Sequence, residues 1–78
     1  MNKISLTHMK ERQKARVSEI VGGELLQNKF MSMGIYKGRE ITKLGHFALR
    51  GPVAIKVGRA TLALGHSMAS KIMVEPHE

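Results

Sequence analysis

The sequence predicts a mainly β fold, a small, partly open barrel of about five short strands with one short α-helix inserted after the first. Three observations carry that expectation. Strand-like alternation recurs at hairpin spacing and is clearest where Val53, Ile55 and Val57 interleave with Ala54 and Lys56. Glycine-bearing turns punctuate the chain at Gly22-Gly23, Gly51-Pro52 and Gly58-Arg59. The one substantial helical stretch runs from Glu24 to Met33, with Leu26, Phe30 and Met33 at i, i+4, i+7.

The chain of 78 residues makes one domain, 1–78. At that size it buries roughly 60 % of the surface of its unfolded form and is marginally stable. A hydrophobic share of 42 % with 24 % charged residues argues against disorder. Without cysteine, neither a disulfide framework nor a thiolate metal site is available, which suits a reducing compartment. Met1 to Met9 has no apolar run of the signal-peptide kind, and no window reaches the roughly 20 apolar residues of a membrane span. The expectation is a cytoplasmic protein. A net charge of +7 suits nucleic acid, an anionic membrane surface or an acidic protein, and also plain solubility. With one Tyr and two Phe there are few platforms for base stacking, so nucleic acid is the weaker reading.

In chain order, Leu6 and Met9 are three apart and suit one helical turn after Ser5. Lys10, Arg12, Lys14 and Arg16 recur at every second position and would share one face of an extended segment. The first strand covers Ala15 to Val21. Its apolar step from Val17 to Ile20 breaks period two, so a bulge is expected near Ser18-Glu19. After the helix, Gly34 stands where the chain needs positive φ, and Ile35 follows as the apolar residue that packs back on the last turn. Gly38 closes a four-residue turn.

The second strand is expected over Arg39 to Leu44, with Ile41 and Leu44 three apart and Lys43 between them. His46 to Arg50 forms the longest loop, closed by Gly51-Pro52. Val53 to Val57 is the third strand. Gly58-Arg59 makes a two-residue hairpin turn into the fourth, Thr61 to Leu64. Gly65 to Ser70 makes one helical turn with Met68 and Ala69 inward. Ile72 and Val74 form a last strand before a flexible tail, 75–78.

The run Leu26 to Gly38, ending Met33-Gly34-Ile35-x-x-Gly38, resembles the hallmark of the ferrous-iron transport protein A family, the FeoA-like domain. The second half is similar too: Gly51-Pro52-Val53-x-Ile55-x-Val57-Gly58, then Leu62-Ala63-Leu64, Ala69 and Ile72-x-Val74. The resemblance spans about Leu6 to Val74. It implies an SH3-like barrel with an inserted helix, and a cytosolic accessory protein of the ferrous-iron transporter. The implied partner is the cytosolic part of a FeoB-like membrane protein with a GTP-binding domain. Glu11 stands where the family often has Gly, and Lys37 where Pro is frequent, so turn-level detail differs here.

The chain offers little for catalysis. With no Asp and no Cys, and with Glu11, Glu19, Glu24, Glu40, Glu75 and Glu78 scattered, no nucleophile, base and orienter assemble; no enzyme and no cofactor are expected. His8, His46, His66 and His77 show no ligand spacing, and the six Met suit a core better than Fe(II), so no metal site is assigned. His77 with Glu75 and Glu78 could grip a metal only adventitiously. What remains is binding. Leu25 and Met31 lie off the core stripe of the helix, and the following turn presents Tyr36, Lys37 and Arg39 beside them. An aromatic anchor, flexible apolar contact and a basic rim make these five the expected partner-binding residues. A homo-oligomer is compatible with the sequence. The alternative function is a basic nucleic-acid-binding or transcription-regulator-associated module, since the same small barrel is appended to metal-dependent repressors.

Overall fold

A computed structural model describes residues 3–47 and 50–77. Its strands are β1 (Ile4–Ser5), β2 (Lys14–Ile20), β3 (Glu40–His46), β4 (Val53–Val57), β5 (Ala60–Leu64) and β6 (Ile72–Pro76). Two helices, α1 (Glu24–Ser32) and α2 (His66–Ala69), and a 3₁₀ turn at Leu6–His8 complete it. The six strands form one sheet in the order β1-β6-β2-β3-β4-β5, with every neighbouring pair antiparallel. It is the mainly β, SH3-like architecture expected, as an open sheet rather than a closed barrel.

One apolar face of the sheet folds around Leu6, Val17, Phe30, Ile35, Ile41, Val53, Ile55, Ile72 and Val74, all at most 1 % exposed. The alternation in β4 is the cleanest: Val53, Ile55 and Val57 are buried while Lys56 is exposed. The 3₁₀ turn begins at Ser5, whose Oγ accepts the Thr7 amide at 3.3 Å, and it sets Leu6 and Met9 into the core. The expected bulge is present as a register shift between Val17 and Glu19. The hairpin turn is the two-residue one, Val57 pairing with Ala60 around Gly58 at φ +60°.

Helix α1 closes one end of the sheet. Phe30 is fully buried, and Leu26 and Met33 pack partly against the core. At its C-terminus, Met33 is the cap and Gly34 has φ +85°. The Gly34 amide donates to the Met31 carbonyl and the Ile35 amide to the Phe30 carbonyl, each at 2.9 Å. That is the Schellman arrangement, which satisfies carbonyls the helix itself leaves unpaired.

Four expectations need correction. First, β1 is a strand that local pattern did not announce, because two residues carry no periodicity; it exists by pairing Ile4 with Val74 and Ser5 with Met73. Second, Glu75 and Pro76 belong to β6 and not to a flexible tail, since Arg16 pairs with Glu75 and Ala15 with Pro76. The His77 amide then donates to the Lys14 carbonyl at 2.9 Å, and Glu78 lies outside the described residues. Third, the second strand runs on to His46, with a register shift between Lys43 and Gly45. Regular alternation up to Lys43 turns Ile41 and Lys43 inward, and Leu44, left without a pairing partner at the register shift, is exposed. Of the loop that follows, Ala48 and Leu49 lie outside the described residues. Fourth, the four alternating cations do not share one face. Lys10 and Arg12 sit in a turn closed by the Gln13 amide on the Lys10 carbonyl, with Arg12 at φ +65°, so only Lys14 and Arg16 project from the strand.

Candidate docking surface

The turn from Gly34 to Arg39 is tied to α1 by backbone bonds at its start and to strand β2 by backbone bonds at its close. The Arg39 amide donates to the Tyr36 carbonyl at 3.0 Å, and the Gly38 amide donates to the Val17 carbonyl at 2.8 Å. Val17 in turn donates to the Arg39 carbonyl at 2.8 Å. Gly38 at φ +93° makes the close of this turn accessible. A rigid turn leaves Tyr36 standing out, 39 % exposed. Arg39 Nη1 donates to the Tyr36 hydroxyl at 3.0 Å, and its guanidinium carbon lies 5.7 Å from the ring centroid. The cation and the aromatic ring are thus one unit rather than two independent side chains.

Leu25 and Met31 are 87 % and 59 % exposed, the most exposed large apolar side chains of α1. Six residues apart, they are separated by about 120° around the helix and border its solvent side from two flanks. Lys37 is exposed on the turn itself. Of the five expected residues, the structure joins Tyr36 to Arg39 by direct contact and leaves the other three exposed, Leu25 in the first turn of α1, Met31 in its last turn and Lys37 on the turn that follows. None of the five is spent on the core.

Elsewhere the fold holds features the sequence did not announce. Lys43 is 2 % exposed, and its Nζ donates to the carbonyls of Met9 at 2.7 Å and Thr7 at 3.0 Å. Burial lowers its pKa from the ordinary lysine value, and nearby Glu11 only partly counters this. His46 on β3 and His66 on α2 have ring centroids 6.3 Å apart, with His46 Nε2 and His66 Nδ1 buried and unpartnered among the described residues. Burial, then the charges of Lys43 and His66, lower the His46 pKa. His77 does not meet Glu75; its Nε2 lies 3.1 Å from a Glu40 carboxylate oxygen. Among the described residues, no three His or Glu side chains converge as a metal would require. No described helix is long and apolar enough to cross a membrane.

The FeoA domain model matches residues 4–76. The chain belongs to the FeoA domain family. An iron uptake regulatory protein (FeoA) of known crystal structure is 31 % identical, with a TM-score of 0.88 over 99 % of this chain and 100 % of that one. A FeoA-like protein from Clostridium acetobutylicum is 32 % identical, with a TM-score of 0.83 over 96 % of this chain and 87 % of that one. A manganese-dependent transcriptional repressor superposes at TM-score 0.87 on 99 % of this chain, but at 20 % identity and over only 38 % of its own length; that likeness is one of fold. No curated protein sequence matches significantly.

Proposed function

We propose that this FeoA-family protein is a small cytoplasmic accessory and regulatory protein of ferrous-iron uptake, without catalysis of its own. It acts by docking on the cytosolic part of a large FeoB-like, GTP-binding membrane transporter, and reaches the membrane through that partner. Family membership supports the role in iron uptake. The observation that supports docking is the exposed flank of α1 together with the turn after it. Leu25 in the first turn of α1 and Met31 in its last are 87 % and 59 % exposed, and the following turn carries a Tyr36 ring that Arg39 already holds in place. Pre-ordering an aromatic and an arginine before contact removes part of the entropy cost of binding, and these are the residue types that dominate interface energies. Lys37 adds a basic rim suited to an acidic partner surface.

The decisive experiment is the double variant Leu25→Ser with Tyr36→Ala, assayed by co-purification with the transporter and by iron uptake in cells. Docking requires an unchanged melting curve and loss of both co-purification and uptake. A folded variant that binds and supports the transporter normally would remove this surface from consideration.

A further inference from the structure

The outer face of β2, β3 and β4 carries a groove of about 390 Å³ lined by Lys14, Arg39, Glu40, Thr42, Lys56 and Gly58. The register explains how residues this distant in sequence meet. Lys14 pairs with Thr42, and Thr42 pairs with Lys56, so two lysines flank one threonine across three strands. Their Cα atoms are separated by two strand spacings, roughly 10 Å. Arg39 enters from one end. Its guanidinium is tethered to Tyr36 through Nη1, and its Nη2 lies only 2.5 Å from where a Cβ on Gly58 would be, so the missing side chain leaves room for it. Glu40, the one carboxylate among the described residues that line the groove, lies 3.1 Å from His77 Nε2.

We infer that this groove is an oxyanion site for a phosphate-class ligand carrying two or three linked phosphoryl groups. Three cationic side chains outnumber one carboxylate that already has a partner, and the Thr42 hydroxyl between the lysines is a neutral donor for a phosphoryl oxygen. Lysines two strand spacings apart suit a short phosphate chain, which offers oxyanions along its length, better than a single carboxylate with two oxygens at one point. Among the described residues the lining contains no aromatic or large apolar side chain, so the groove recognises the phosphates and not a base or an acyl chain. The inference is independent of docking to the transporter, because the chain alone suffices to test it.

The test is a ¹⁵N–¹H NMR titration of the full chain with orthophosphate, pyrophosphate and tripolyphosphate at about 50 mM salt, where charge contacts are strong. The expected result is saturable shifts at the Thr42, Lys56 and Gly58 amides, with affinity rising along that series. Lys14→Gln with Lys56→Gln, both exposed positions, should weaken tripolyphosphate binding by at least roughly tenfold, the loss of about 1.4 kcal/mol. Lys29→Gln with Lys71→Gln removes the same charge elsewhere on the surface and should leave affinity near that of the unaltered chain. Co-sedimentation with phosphatidylserine vesicles separates the sources. Groove-dependent tripolyphosphate binding without vesicle binding supports a soluble ligand, whereas groove-dependent vesicle binding untouched by tripolyphosphate overturns the linked-phosphate assignment in favour of a single-phosphate lipid headgroup. Equal loss in both double variants, or no saturable shift in the groove, overturns the site. A pentaglutamate peptide binding as tightly as tripolyphosphate overturns the phosphate assignment in favour of an acidic protein segment.

Discussion

Ile35 donates its backbone amide to the Phe30 carbonyl at 2.9 Å, and the side chains of both residues are fully buried. One pair thus carries the last hydrogen bond of α1 and the apolar contact that seats the helix on the sheet. It exists only because Gly34 turns the chain at φ +85°. The space around Gly34 is not the constraint, since a Cβ there would meet Val57 at an ordinary 3.5 Å. The constraint is the backbone conformation. Gly34→Val should destabilise the domain by about 1–2 kcal/mol, the cost of a side chain in left-handed geometry. That corresponds to a fall in Tm of roughly 4–16 °C for a domain of this size. An unchanged melting temperature would refute the cap.

Gly58 at φ +60° predicts a different outcome. Gly58→Ala brings a Cβ against the Arg39 guanidinium, a movable side-chain end and not a wall. A modest destabilisation of about 1 kcal/mol is expected from the backbone alone. The informative change is at Arg39, which should leave its place over Tyr36. Chemical shifts of the Tyr36 ring report this directly, and should move in Gly58→Ala while the core methyl signals of Ile55 and Ile72 stay put.

Lys43 makes the stability of the domain depend on alkaline pH. Its pKa in the folded chain is lowered by burial, so between that value and 10.5 the unfolded chain binds a proton that the folded chain does not. Unfolding takes up a proton in that window, and stability therefore rises with pH through it; the contribution is complete above 10.5 and lost as pH falls through the folded value. Lys43→Met abolishes this rise. It also leaves the Thr7 and Met9 carbonyls without the Nζ donor, at about 1–3 kcal/mol for a buried acceptor left unpaired. Urea denaturation of both proteins from pH 7 to pH 10.5 checks the difference in slope.

His46 acts in the same direction at acid pH. Its lowered pKa means that stability is fully present above 6.5 and is lost as pH falls from 6.5 through the folded value. Protonation would place a charge on a half-buried ring, whose Nε2 is shielded from water, beside Lys43 and His66. His46→Gln should therefore flatten the decline in Tm between pH 7 and pH 5. A decline as steep as in the unaltered chain would exclude His46 as its source.

Local pattern made much of the fold legible. The stripe of Leu26, Phe30 and Met33, the turn at Gly34, the hairpin at Gly58-Arg59 and the bulge after Val17 each depend on residues within a few positions of one another, where spacing and steric preference decide. The exposure of Leu25, Met31, Tyr36 and Lys37 followed by elimination, once the helix had one face committed to the core.

Pairing between distant strands decided the rest. Ile4–Ser5 and Glu75–Pro76 are strands only because β6 lies between β1 and β2, and nothing within either dipeptide specifies that. Lys43 shares the inward face with Ile41 by regular alternation, and its Nζ reaches carbonyls 34 and 36 positions away in the chain. The groove is a matter of register in the same sense: Lys14, Thr42 and Lys56 become neighbours through two ladders, and Arg39 reaches them because a turn residue, Gly58, lacks a side chain. A sequence states which backbone conformations and which faces are favourable along a few residues. Which charges end up side by side depends on hydrogen bonds closed across the whole chain, and those form only in the folded sheet.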